Sequence, residues 1–292
     1  MNTDRVQIVG NGVVAEIALL GAELQVLRNT EGANVMWQVD EQYWNRAAPN
    51  LFPIVGRLVN DSYTVDGVPY AMRQHGFARD QRFEVLEKED SSVLLGLRSS
   101  EVTLGVYPFH FHFQVRYRFE EKVLWVDYIT ENTGDVPMLY SVGGHPGFAL
   151  QGALEGHSLL FSMAGERVGF AAERRLIEGG YYSSATKTVN VANGVLVLTD
   201  GLFDSDAIVF NEPGFDAVTL LNAKGDAMID FYCWEWDAVG FWTKPGAPFF
   251  CIEPWWGWAD GVNSDGDFRK KAGLHCLEAG AVEQVSYGLG LR

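Results

Sequence analysis

The chain is short of positive charge. It sets 22 Lys and Arg against 38 Asp and Glu in 292 residues, a formal net charge of −16. Such a surface has little with which to release counterions from a phosphate backbone, which argues against a nucleic-acid partner. It also disfavours an anionic membrane surface and does not favour strongly anionic substrates. The acid excess is spread along the chain and reads as a soluble surface. Cysteine is scarce. Cys233, Cys251 and Cys276 are an odd number without C-x-x-C spacing, and two of them lie in apolar, strand-like runs. They read as reduced, mostly buried thiols of a cytoplasmic protein. No apolar segment follows Met1-Asn2-Thr3-Asp4-Arg5, so no signal peptide is expected. No run approaches about eighteen apolar residues, so no transmembrane helix is expected. No helical period is sustained over about ten residues, and no tract resembles a linker or a repeat of roughly 20 to 50 residues. A G-x-G-x-x-G after a strand, a P-loop and a G-x-S-x-G are all missing, and no cysteine has a reactive context. Nucleotide binding and covalent acyl chemistry are therefore not expected.

What is present is apolar, aromatic and rich in turns. Hydrophobic residues make up 47%, enough for a large core; aromatics at 13% and 32 glycines fit many strands joined by tight turns. Gly10-Asn11-Gly12 and Asp66-Gly67 are hairpin signals, because these residues tolerate the positive φ of a two-residue turn. Arg82 to Arg98 reads as two strands around an acidic turn, and Val115 to Ile129 as a hairpin across Glu120-Glu121-Lys122. The expectation is an all-β chain with few short helices and a single domain spanning 1–292.

Four segments stand out. Phe250-Cys251-Ile252-Glu253-Pro254-Trp255-Trp256-Gly257-Trp258 ends an apolar strand in a carboxylate among indoles. Poor solvation there raises the pKa of Glu253 and its basicity, and indole faces suit the C–H faces of a sugar ring. The same residues also allow a structural Glu paired with an arginine. In Ala48-Pro49-Asn50-Leu51-Phe52-Pro53-Ile54-Val55-Gly56-Arg57, the guanidinium of Arg57 needs either a salt-bridge partner or a ligand. Gln74-His75-Gly76-Phe77-Ala78-Arg79-Asp80 crowds His, Arg and Asp into a loop. Ser141-Val142-Gly143-Gly144-His145-Pro146-Gly147 holds His145 between glycines and a proline, in a backbone shape few residues adopt. Asp200, Asp204 and Asp206 precede a further strand, outside any D-x-D-x-D-G frame. His110 and His112 alternate with phenylalanines, as two metal ligands or as the polar side of a packed strand. Acid–base work without a cofactor or metal is the chemistry that remains.

Taken together, Ala48 to Arg57, Gln74 to Asp80, Gly143-Gly144-His145-Pro146, Asp204-Ser205-Asp206-Ala207 and Cys251-Ile252-Glu253-Pro254-Trp255 resemble the aldose 1-epimerase (galactose mutarotase-like) family, in its bacterial LacX-like branch. The motifs occur in the family's order. The resemblance implies a large antiparallel β-sandwich with a sugar cleft across one sheet. It implies Glu253 as general base and His145 as general acid, His75 on the sugar oxygens, Arg57 and Asp206 orienting hydroxyls, and Trp255 against the ring. Pro254-Trp255-Trp256 departs from the better-known galactose mutarotases and leaves the preferred sugar open. The expected partner is a free aldohexose, and the expected state is monomer or homodimer. A hexose 6-phosphate 1-epimerase using Arg79 on the phosphate, and a carbohydrate-binding protein without turnover, are the rival readings.

Overall fold

The structure, a computed structural model, describes residues 4–199 and 201–291, with the side chains of 174–176 set aside. Two large antiparallel sheets dominate it. One has ten strands. Its centre is Val282–Gly290, Val123–Asn132, Phe111–Glu120 and Ser92–Arg98 in that spatial order. The other has eight and runs Tyr181–Val191, Phe170–Glu178, Ile208–Asn211, Ala238–Trp242, Phe249–Trp256, Val142–Gly144, Asn50–Leu51, with Gly147–Ala149 also pairing to Phe249–Trp256. The only α-helix among the described residues is the single turn Glu101–Leu104, capped reciprocally by Ser100 and Thr103. None of the described helices is long and apolar enough to cross a membrane.

The sequence pattern explains the two layers. Phe111, Phe113, Val115 and Tyr117 alternate along their strand and are fully buried, as one face of a pleated strand requires. They share a core with Val239, Phe241, Phe250 and Ile252 of the opposing sheet. The hairpins fall where the turn residues put them: Asn11 and Gly12 have φ of 50° and 81°, and Asp66 and Gly67 of 51° and 81°, the angles of a twisted two-residue turn.

Phe249–Trp256 is buried along almost its whole length, a strand covered on both faces. Phe250 and Ile252 point into the inter-sheet core. On the other side, Phe249 and Cys251 join Trp37, Tyr43, Trp44 and Trp242, while Trp255 joins Leu51, Val55 and Ala259. Glu253 lies between these two clusters on the same alternating face.

Candidate functional site

The register of the eight-stranded sheet builds the site. Glu253 pairs with Gly240, Cys251 with Trp242 and Trp255 with Ala238 across one edge. Across the other edge Trp255 pairs with Gly143 and Cys251 with Gly147. His145 lies in the connection between those two short strands. The sequence predicts an unusual backbone around it, and the structure corrects this: Gly143, Gly144 and Gly147 lie in strands without a positive φ. Their role is close approach. A Cβ on Gly144 would meet the Tyr128 hydroxyl at 2.9 Å and Tyr287 at 3.1 Å.

The two groups expected to move protons meet. Nε2 of His145 is 3.3 Å from Oε2 of Glu253, with side chains 11% and 2% exposed. The Trp255 indole N–H donates to that same oxygen at 3.3 Å. Glu253 has no arginine partner among the described residues, so the salt-bridge alternative is not realised. Burial pushes its carboxyl well above the usual range, the Trp255 hydrogen bond opposes this, and the Asp206 charge adds to it. Burial pushes His145 down to about 3, a self-backbone hydrogen bond opposes this, and the Arg79 charge lowers it further. Both causes favour an uncharged pair that keeps one proton between its two members. Two rings hold the imidazole: Trp44 at 4.8 Å between centroids and tilted 32°, and Trp242 at 5.6 Å and nearly perpendicular.

His75 reaches the cleft from the second loop motif. Its φ is 66°, a conformation that a non-glycine residue adopts at a cost its surroundings must cover. They do so by a reciprocal bond: the His75 N–H donates to the Gly56 carbonyl at 2.8 Å, and the Gly56 N–H donates to His75 Nδ1 at 3.1 Å. With Nδ1 accepting, the neutral ring carries its proton on Nε2. Burial keeps it neutral, helped by repulsion from His145 whenever that ring is protonated and from Arg79. The ring lies edge-on to His145 at 5.8 Å.

The cleft is about 360 Å³, lined by Trp44, His75, Arg79, His145, Asp206, Trp242, Glu253 and Trp255 with Gln74, Gly180 and Ala259. Of the acid trio, Asp206 faces it, at φ 83°, and burial raises its carboxyl. Asp204 lines a neighbouring hollow by Lys244, and Asp200 lies outside the described residues. Arg57 does not line the cleft. Nε and one terminal nitrogen donate to Asp61 at 2.8 and 3.0 Å, the other donates to the Gly179 carbonyl at 3.3 Å, and the guanidinium lies 5.4 Å from the Tyr181 ring. It is a partly exposed tether to the wall of the cleft, since its side chain is 37% exposed. Arg79 donates to the Gln74 carbonyl at 2.7 Å, while its buried Nε has no hydrogen-bond partner. His112 sits by Glu131 at 3.4 Å and His110 by Ser99 at 3.3 Å, apart from the cleft.

Sequence reasoning missed Trp44, Trp242 and Glu23. The tryptophans read only as strand residues, since nothing in their neighbourhood announces a wall. Glu23 is buried and accepts from the Ala47 and Ala48 N–H groups at 2.7 and 2.9 Å. With Asn50, which donates to the Gly21 and Ala22 carbonyls and accepts from Tyr128, it anchors the first proline-flanked motif.

The family model described as aldose 1-epimerase matches residues 4–262. The chain is 28% identical to the chromosomal protein LacX of Lactococcus lactis subsp. lactis, over 86% of this chain and 87% of that one. It superposes on a galactose mutarotase related enzyme from Lactobacillus acidophilus with a TM-score of 0.90 at 32% identity, covering 99% of this chain and 97% of the other. It also superposes on a galactose mutarotase-like protein from Lactobacillus casei with a TM-score of 0.90 at 29% identity, covering 99% and 100%.

Proposed function

Because the chain belongs to the aldose 1-epimerase family, we propose that it interconverts the α and β anomers of a free aldohexose, acting as one unit over residues 1–292, cytoplasmic and monomeric or homodimeric. One observation carries this reading: Glu253 and His145 lie buried at 3.3 Å from one another in a cleft walled by tryptophans.

Glu253 takes the proton of the anomeric hydroxyl. As the C1–O1 bond becomes a carbonyl the bond from C1 to the ring oxygen breaks, and His145 gives its proton to that oxygen. The open chain turns about C1–C2 and closes on the other face with the roles reversed. The protons held by the pair number one before and after each half-reaction, so nothing is exchanged with water. The buried environment favours the state reached on ring opening, a protonated Glu253 beside a neutral His145. Each transfer contributes about two to four orders of magnitude in rate. His75, through Nε2–H, and Asp206 orient sugar oxygens, and Trp255 and Trp242 take the ring's C–H faces.

Free sugar is favoured over sugar phosphate by the cations at hand. Arg79 is the one lysine or arginine among the described lining residues, and burial lowers its pKa. A phosphate site gathers several cations. The test is polarimetry on freshly dissolved α-D-glucose and α-D-galactose. Wild type accelerates the decay of rotation, and His145→Ala does not. No acceleration of either sugar or of glucose 6-phosphate by a wild type that binds sugar overturns the enzymatic reading in favour of a binding protein.

A further inference from the structure

Cys251 has no part in that reaction, yet it sits beside it. It lies two residues before Glu253 on the same face of one strand, fully buried, with Trp242 opposite on one side and Gly147 on the other. One donor atom each of His145, Cys251 and Glu253 lies within 4.8 Å of the other two. The His145 nitrogen and Glu253 oxygen are already 3.3 Å apart. A tetrahedral zinc ion, with bonds of about 2.0–2.3 Å, spaces its ligand atoms roughly 3.3–3.6 Å from one another. The widest pair, at up to 4.8 Å, therefore needs to close by roughly 1.2–1.5 Å, a shift within reach of side-chain torsions.

The chemistry of the set fits as well as its spacing. Imidazole, thiolate and carboxylate together suit zinc over the hard cations, which take oxygen alone. A dication held by one thiolate, one carboxylate and one neutral imidazole is a neutral unit, which is the form a buried site tolerates. The imidazole already turns Nε2 toward Glu253 Oε2 at 3.3 Å. Trp44 and Trp242 fix its plane, while its buried Nδ1 has no hydrogen-bond partner. Three protein ligands leave a fourth position, and two of the three, His145 and Glu253, line the cleft.

We propose that His145, Cys251 and Glu253 form an inhibitory site for a thiophilic divalent cation such as Zn²⁺, its fourth position opening onto the cleft. The inhibitory consequence rests on the acid–base roles proposed above; the binding does not. Zinc displaces the protons of the thiol and the carboxyl to solvent. It occupies the lone pairs that would move protons, and it excludes the anomeric end of the sugar. Inhibition is then competitive with sugar and reversed by a chelator.

The test uses the full chain and two metals alone. Co²⁺ added to wild type gives a thiolate-to-cobalt charge-transfer band and tetrahedral visible bands, and calorimetry gives one Zn²⁺ per chain. In Cys251→Ala and in Cys251→Ser the band disappears and Zn²⁺ affinity falls at least tenfold, with the fold checked by circular dichroism. Cys276→Ser, which removes the exposed thiol, keeps the band. The ratio of mutarotation with Zn²⁺ to that without is near zero in wild type and returns toward one in both Cys251 variants. An active wild type with no charge-transfer band overturns the site, as does a band that survives Cys251→Ala. A wild type that shows the band but turns over no sugar keeps the site and overturns the proposed reaction instead.

Discussion

His145 and Glu253 come from different motifs, more than a hundred residues apart in sequence, and meet at 3.3 Å because their segments pair along one sheet edge. Neither has an ionic partner of its own among the described residues other than the other. Replacing Glu253 by Gln keeps the shape and the Trp255 contact but removes the base. The expected result is a loss of about 10²–10⁴-fold in kcat, with sugar affinity by calorimetry changed only severalfold. Full activity in this variant would show that Glu253 is a structural carboxylate.

The rings around His145 set its aim. Trp44→Ala leaves one face of the imidazole uncovered, and a misplacement of about an ångström costs on the order of 10²-fold in rate. The loss is expected in kcat more than in KM, and Trp44→Phe should recover most of it. A loss confined to KM would instead make Trp44 a sugar-stacking wall.

Gly144 has two buried tyrosines where a side chain would go. Gly144→Ala is expected to destabilise the protein by about 1–3 kcal/mol, the usual cost of overpacking a filled core, read from denaturant unfolding. Because the same strand leads into His145, its activity at a permissive temperature should fall as well. An unchanged midpoint would mean that Tyr128 and Tyr287 move aside freely.

Much of this was legible beforehand. The hairpins at Asn11-Gly12 and Asp66-Gly67, the buried strand before Glu253, and the grouping of His75, His145, Asp206 and Glu253 all follow from local residue chemistry or family resemblance. Arg57 was not legible. Its partner Asp61 is a near neighbour, but whether a guanidinium turns to that carboxylate or to the cleft depends on where Gly179 and Tyr181 lie, and a sheet crossing supplies those. Trp44, Trp242 and Glu23 were hidden for the same reason, since their roles come from pairings distant in sequence. The glycines beside His145 were noticed for the wrong reason: they read as backbone freedom, whereas they allow close approach, Gly144 to the Tyr128 and Tyr287 rings, Gly143 to the Pro254 carbonyl and Gly147 to Trp44.

Arg79 is the one lysine or arginine among the described residues that line the cleft. If Arg79 serves the architecture of the loop through the Gln74 carbonyl, glucose 6-phosphate is expected to have a kcat/KM at least tenfold below that of glucose. Adding about 0.2 M salt should leave the glucose rate unchanged, because no long-range charge steering is involved. A preference for the phosphate that Arg79→Met removes would reverse the substrate assignment.

Away from the cleft, Lys271 has a nearly buried side chain whose ammonium lies near the Trp258 and Ala272 carbonyls and 3.9 Å from Asp260. Burial lowers its pKa to about 8, against an opposing pull from Asp260. Between that value and about 10.4 the unfolded chain binds one more proton than the folded one, so this residue's contribution to stability rises with pH there and is lost as pH falls through about 8. Wild type measured against Lys271→Met should therefore gain up to about 1.4 kcal/mol per pH unit across that window. A flat difference would mean that the ammonium keeps its charge.

The proton-moving pair rests on paired strands, whereas part of the cleft wall comes from a hairpin turn at Gly179-Gly180 and from the turn before Ala207. The spacing of acid and base is consequently held by Phe249–Trp256 and by the two short strands that flank His145, while part of the cavity's outline is set by turns. Chemistry and taste are separately inherited: the turns can lengthen, shorten or change side chains to admit a different sugar while the catalytic distance stays where the sheet put it.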